Sequence, residues 1–186
     1  MKSKKIILIA IAILVVICLV LAGFILSFRG SQRELSEAEQ LVDNFLRAYH
    51  EKDPRAGMFL TTSVFDDSDM TYDGVQGHLA ETLTHTIIGE RVDENDPQTI
   101  WIDVEVDNID LAEILRGIEN IEETNPNRIL DSIEEYVNSP NAPRRTFQAS
   151  VIVRVYPVGM RIQMNAELSD ALLGGFPSYI SEGLGL

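Results

Sequence analysis

An uncharged apolar run near the amino terminus constrains the fold of this chain more than any other feature. The run extends from Ile6 to Phe28 and contains 23 residues, which make a helix about 34 Å long at roughly 1.5 Å per residue. The hydrocarbon core of a bilayer is about 30 Å thick, so such a helix crosses it with a slight tilt. The sequence therefore predicts an uncleaved transmembrane signal anchor over residues 6–28.

Two other uses of the same run have weaker support. Cleaved export signals carry an apolar region of about 7–15 residues, shorter than this one, although Ala22 offers a tolerable cleavage site. Lipidation needs a small residue immediately before Cys18, where the chain has Ile17. Cleavage after Ala22 stays open as the alternative, and Cys18 is predicted to be an unmodified thiol. Because the chain has no second cysteine, an intramolecular disulfide is excluded.

Basic residues flank the run asymmetrically, and this asymmetry sets its predicted orientation. Residues 1–5 contain three lysines and no acid, whereas acidic residues begin soon after the run, at Glu34. We therefore expect residues 1–5 in the cytoplasm, a short linker over residues 29–35, and the remainder outside the cell membrane. The basic residues at the two ends of the anchor are Lys2, Lys4, Lys5 and Arg29.

The part of the chain beyond the anchor is strongly acidic. Four of the 15 basic residues lie in or beside the anchor, which leaves 11 basic against 29 acidic residues, a net charge of −18. Such a domain is repelled by nucleic acid and by anionic lipid headgroups. The charge therefore argues against nucleic-acid binding and favours cationic partners or metal ions.

Hydrophobic periodicity predicts one α+β domain over residues 36–175, followed by a small-residue tail over residues 176–186. Ser31 with Glu34 and Ser36 with Glu39 are two possible capping boxes at the start of the first helix, and Asp53-Pro54 begins a second helix. Two strand pairs with alternating apolar residues predict antiparallel hairpins, separated by a helical insertion. The predicted helices lie at 36–52, 54–60, 76–83, 111–122, 126–137 and 166–175, and the strands at 85–92, 98–108, 146–156 and 160–164.

Three segments carry a resemblance to a known superfamily. EAEQLVDNFLRAYHEKDPRAGMFL, residues 37–60, resembles the first two helices of the nuclear transport factor 2-like (cystatin-like) superfamily. DNIDLAEIL (107–115) and MRIQMNAELSDALLGG (160–175) resemble extracytoplasmic members from Gram-positive bacteria, which commonly have an N-terminal lipid or membrane anchor. VGMR at residues 158–161 departs from the glycine-lysine-tryptophan-lysine hairpin of many relatives.

The resemblance implies a curved antiparallel sheet packed on helices, with a pocket between them and a helical insertion between the strand pairs. It implies no particular activity, because this fold hosts enzymes, binding modules and oligomerisation domains alike.

An acidic loop is the strongest local cluster of potential ligands. Calcium prefers six to eight oxygen ligands at alternate loop positions, and Asp67, Asp69 and Asp73 are so spaced. An EF-hand loop needs an acidic ligand at its twelfth position. Counted from Asp69 as the first ligand, that position falls on Ala80, and Glu81 comes one residue too late, so an EF-hand is rejected. A looser calcium site at these three aspartates stays open beside the simpler interpretation, a solvated loop. The histidine spacing predicts no zinc site, and no cofactor is expected.

Three further residues are candidates for a pocket or an interaction surface. Enzymes of the superfamily, of the ketosteroid isomerase-like and polyketide cyclase-like types, use an acid or histidine beside a tyrosine to abstract a proton. By that resemblance, Tyr72 and His78 are candidates, with Asp73 between them. Trp101 lies among acidic residues on one strand face and is either a binding hot spot or packs beneath the helix over residues 111–122.

We expect a membrane-anchored extracytoplasmic domain without catalytic activity, which binds an envelope protein or a small ligand. Its expected contacts are the lipid bilayer through residues 6–28 and either an envelope protein or a second copy of the chain. Two alternatives remain: a pocket enzyme of the isomerase-like type, and a structural module that dimerises or docks within an envelope complex.

Overall fold

The computed structural model describes residues 34–61, 72–119 and 126–185. The predicted anchor over residues 6–28, Cys18 within it and the flanking residues Lys2, Lys4, Lys5 and Arg29 lie outside these ranges. Every helix in the described ranges is too short or too polar to cross a bilayer.

The elements alternate between helical and strand segments in the predicted order. Three helical segments come first; a strand pair, a helical insertion, a second strand pair and a closing helix follow. The segment predicted to be a C-terminal tail contains one more helix, α6, which sequence analysis did not predict. The elements are α1 (Glu37–His50), a 3-10 helix (Pro54–Phe59), α2 (Gly74–Thr82), β1 (Thr84–Val92), β2 (Thr99–Ile109), α3 (Leu111–Glu119), α4 (Pro126–Val137), β3 (Arg144–Tyr156), β4 (Gly159–Gln163), α5 (Ala166–Leu172) and α6 (Phe176–Leu184).

Side-chain caps fix where the first two helices begin. The hydroxyl of Ser36 accepts from the N–H of Glu39 at 3.1 Å, and the Glu39 carboxylate accepts from the N–H of Ser36 at 2.9 Å. This confirms the capping box, which satisfies two N–H groups that the helix itself leaves unpaired. Asp53 caps the 3-10 helix by accepting from the N–H of Arg55 at 2.9 Å. The face of α1 that packs into the core carries Ala38, Val42, Phe45, Leu46 and Tyr49.

The four strands form one antiparallel sheet in the order β1-β2-β3-β4. Alternate residues of β2 face the helices and are buried, with Val104 opposite Ile87 of β1 and Ala149 of β3. The predicted α+β class, an antiparallel sheet packed on helices, is confirmed. The buried face of the two central strands carries Ile102, Val104, Val106, Phe147, Ala149, Val151 and Val153.

The side chain of Asn108, near the end of β2, joins the sheet to α5. It is completely buried, and its amide donates to the carbonyl oxygens of Ala171 and Leu172 at 3.1 and 3.2 Å. Its own oxygen accepts from the N–H of Ile109 at 2.9 Å. The last carbonyls of a helix have no partner within that helix, so Asn108 satisfies two of them and fixes α5 against the sheet.

Glycine is required where the chain leaves α5. Gly174 has a φ of +60°, and the N–H of Gly175 donates to the carbonyl of Asp170 at 2.8 Å, the longer bond of a Schellman motif. A Cβ at Gly174 would lie 2.3 Å from the carbonyl oxygen of Ile109 and 2.9 Å from the nitrogen of Leu111. The absence of a side chain therefore lets the α5 terminus meet the β2–α3 connection.

Gly174→Ala should destabilise the domain by about 2–4 kcal/mol, since it combines left-handed backbone strain with a backbone clash. The melting temperature, followed by circular dichroism on the full chain in detergent, should fall by roughly 5–15 °C. Gly117→Ala in α3 is the matched control, because a Cβ there meets nothing within 4 Å. It should leave the melting temperature unchanged or raise it. Equal melting temperatures for Gly174→Ala and the wild type would contradict the close approach.

Candidate functional site

Aromatic side chains fill the space between α1 and the sheet. The ring centre of Phe45 lies 6.3 Å from that of Phe59 and 6.4 Å from that of Tyr49, and Tyr49 lies 5.5 Å from Tyr72. These separations and the tilted or edge-to-face angles are those that aromatic pairs favour. The cluster therefore occupies a region between sheet and helices where the resemblance implied a pocket.

The two tyrosine hydroxyls in this cluster bond to backbone carbonyls. Tyr49 donates to Leu172 at 3.4 Å, and Tyr72 donates to Asp53 at 3.3 Å. Burial raises the pKa of Tyr49 to about 12, and burial together with the nearby Tyr49 and Asp53 raises the pKa of Tyr72. Both hydroxyls are therefore neutral at physiological pH, and each already donates a hydrogen bond to a backbone carbonyl.

The other candidates for a pocket enzyme point elsewhere. His78 lies on α2 with its Nδ1 3.8 Å from a carboxylate oxygen of Glu81, whereas the Tyr72 hydroxyl meets the carbonyl of Asp53. Asp73 is the residue immediately before α2. Tyr72 and His78 thus have separate partners, and the structure gives no sign that the two converge on one substrate.

The calcium hypothesis falls largely outside the described residues. Asp67 and Asp69 lie in the undescribed segment 62–71, and only Asp73 is described. Within the described ranges, no group of three or more histidine, cysteine, aspartate or glutamate side chains is arranged to hold a metal ion.

Trp101 lies on the outer face of the sheet, away from the core. The guanidinium of Arg91 stacks 4.8 Å from its ring centre, and its indole nitrogen is 3.5 Å from a carboxylate oxygen of Asp93. Helix α3 begins only after Ile109, eight residues farther along β2, or about 26 Å at roughly 3.3 Å per residue. The contacts of the Trp101 ring are thus with Arg91 and Asp93, and its role as a binding hot spot stays a prediction.

The acidic residues on the outer face of β2 have polar partners on the neighbouring strands. Arg91 lies 3.7 Å from Asp103, and the Nε of Arg144 donates to Asp107 at 2.7 Å. Ser150 donates to Asp103 at 2.6 Å. Because this face is mainly polar, it lacks the broad apolar surface that stable dimers bury at their core.

A histidine and a carboxylate pair across a surface cleft between β1 and α1. The Nε2 of His85 lies 2.9 Å from one oxygen of Asp43, and the Nε of Arg47 lies 2.8 Å from the other. Both carboxylate oxygens therefore have partners. The pair ties the start of β1 to α1, and sequence reasoning did not identify it because the two residues are 42 positions apart.

Helix α6 presents an apolar stripe to solvent. Phe176, Ile180 and Leu184 are 39%, 41% and 68% exposed, and their spacing of four residues places them on one side of the helix. The Asp170 carboxylate accepts from the N–H of Ser178 at 2.9 Å, which fixes the start of α6 to α5. The stripe is thus held by an ordered helix, and the described part of α6 contains no fully buried residue.

A shallow groove of about 440 Å³ lies between this helix and α3. Arg116 of α3 places its guanidinium 5.9 Å from the ring centre of Tyr179 and 3.2 Å from the carboxylate of Glu182. The groove continues the apolar stripe, since Ile180 and Leu184 line it as well. We take the α6 stripe and this groove together as the candidate functional site and call them the α6 surface.

Comparison with known proteins assigns the chain to no group. No family model, no curated protein and no solved structure matches it.

The buried tyrosine predicts a loss of stability at high pH. An unfolded tyrosine ionises near pH 10.0, whereas folded Tyr49 resists ionisation until about pH 12. The contribution of Tyr49 to stability should therefore be constant below about pH 10 and fall between about pH 10 and pH 12, by at most about 2.7 kcal/mol. Tyr72 should add to the fall in the same direction. Urea unfolding at successive pH values measures the free energy of unfolding, and Tyr49→Phe should make its fall above pH 10 smaller. If the free energy of unfolding falls as steeply with pH in Tyr49→Phe as in the wild type, the fall does not come from Tyr49.

Proposed function

We propose that this chain is a membrane-anchored extracytoplasmic binding domain without catalytic activity, which docks an envelope protein through the α6 surface. The observation that carries the proposal is the exposed stripe of Phe176, Ile180 and Leu184 on an ordered helix. Single exposed apolar residues are ordinary, but a row of them beside a groove is typical of surfaces that meet another protein.

The chemistry of the partner follows from the charge of the domain. Beyond the anchor the chain carries a net charge of −18, and Glu182 lies at the edge of the groove. An apolar helix with basic residues along its margins fits such a surface, since complementary charge speeds encounter and fixes orientation. A second copy of the acidic chain would be repelled, which favours an unlike partner over a homodimer.

The packing of aromatic rings beneath α1 supports a role without catalysis. A pocket enzyme of the isomerase-like type needs a cavity in which a base and a proton donor face the substrate. Aromatic rings occupy the region beneath α1, and the hydroxyls of Tyr49 and Tyr72 are committed to backbone carbonyls.

We also propose that the domain is nuclear transport factor 2-like and is held outside the cell membrane by a helix over residues 6–28. The described order of helices, hairpin, helical insertion and hairpin is compatible with that proposal. The length and the absence of charge in the run support the anchor.

The proposed orientation can be tested with single cysteines in a Cys18→Ala background. Val158, which is 90% exposed in the β3–β4 turn, should react as Val158→Cys with a membrane-impermeant maleimide on intact cells. Lys4→Cys should react only after the cells are permeabilised. The reverse pattern would place the domain in the cytoplasm, and recovery of Val158→Cys in the medium would show cleavage.

Docking can be tested by replacing Leu184 with a benzophenone-bearing amino acid in the full chain in its native membrane. Irradiation should join this position to one basic envelope protein, whereas the same amino acid at the exposed control position Val158 should not. Adding Ile180→Asp should reduce the yield at least about tenfold, because a charge at the centre of an apolar contact removes a hot spot. Adducts between two copies of the chain would instead support the dimerisation alternative, and equal yields at Leu184 and Val158 would overturn the docking proposal.

A further inference from the structure

A second groove lies between α1, the 3-10 helix and β4. Its volume of about 480 Å³ is within the range of small-molecule binding sites, roughly 300–1,000 Å³. Helix α1 and the 3-10 helix contribute apolar side chains to it, β4 contributes Arg161, and it shares no residue with the α6 surface. The apolar lining residues are Leu41, Ala48, Met58 and Phe59.

Two arginines line this groove, and their guanidinium groups differ in how they are paired. Arg55 is held by the carboxylate of Asp53, with its nitrogens 2.7 and 3.0 Å from the two oxygens. The guanidinium of Arg161 donates to the backbone carbonyl of Met160 at 2.8 Å. Among the described residues, none places a carboxylate within ion-pairing distance of Arg161. The groove thus combines an apolar surface with a cation that retains unused donors.

The edge of β4 beside the groove is partly closed to an incoming peptide. Leu60 forms a parallel bridge with Ile162, and the N–H of Thr61 donates to the carbonyl of Ile162 at 2.7 Å. Peptides that add to a sheet edge need those backbone groups for their affinity. The groove therefore offers a ligand apolar contact, the Arg161 guanidinium and, beside it in the lining, the Arg55–Asp53 ion pair.

We propose that this groove binds a single-chain amphiphilic carboxylate, a free long-chain fatty acid. The carboxylate pairs with Arg161, since guanidinium and carboxylate form charge-assisted hydrogen bonds. The aliphatic chain lies against Leu41, Ala48 and Phe59, with Met58 at the exposed margin. This site is additional to the α6 surface and does not depend on docking there.

A photoreactive palmitate carrying a diazirine on its chain tests the proposal on the full chain in phosphatidylcholine nanodiscs. Labelled peptides, identified by mass spectrometry, should come from residues 41–59 and from β4. Arg161→Ala should reduce labelling about threefold to fivefold, the range for one partly exposed ion pair. Met58→Glu, which adds an anion at an exposed position, should reduce labelling as well. Arg145→Ala removes the same charge outside the groove and should leave labelling unchanged.

Competition identifies the ligand class. Unlabelled palmitate should displace the probe, and hexadecanol, which lacks the charge, should do so more weakly. Labelling that Arg161→Ala leaves unchanged, in a variant with the wild-type melting temperature, would overturn the proposal. Displacement by lysophosphatidylglycerol or by an acidic apolar peptide, but not by palmitate, would overturn it in favour of a bilayer lipid or a peptide.

Discussion

The buried amide of Asn108 joins the central strand β2 to the end of α5, 63 and 64 positions farther along the chain. A helix that ends inside a protein leaves carbonyl groups without partners, and burying them unpaired costs about 1–3 kcal/mol each. Asn108 satisfies two of these groups at the end of α5, so α5 has one favourable position on the sheet. Gly174 then brings the chain against the start of α3, and this determines where α6 begins and which side of it faces solvent.

The packing of the helices on the sheet leaves the groups that could bind a ligand or a partner at the surface of the domain. Large rings beneath α1 use the available space, and their two hydroxyls are bonded internally. The acidic strand face is balanced by arginines from its neighbours. The α6 surface and the groove beside Arg161 both keep apolar area together with an accessible polar group. Both lie where helices meet at the margin of the core.

Much of the fold was predictable because its signals are local. The capping box of Ser36 and Glu39 lies within four residues, and alternation along β2 shows its buried face directly. The candidate site was not predictable in the same way. Phe176, Ile180 and Leu184 have helical spacing, but the glycines that surround them make a tail the simpler interpretation. The contacts of Trp101 with Arg91 and Asp93 were not predictable either, because alternation shows which face of a strand a residue is on but not which side chains meet it there.

The sequence by itself determined that an apolar run long enough for a bilayer precedes an acidic α+β domain, because length, charge and periodicity are properties of neighbouring residues. It also determined the order of the helices and hairpins. Only the tertiary structure decided that the rings of Phe45, Tyr49, Phe59 and Tyr72 pack together, that Asn108 meets the end of α5, and that Arg161 has no carboxylate partner among the described residues. Each of these facts depends on the distance between groups far apart in the chain, which packing sets.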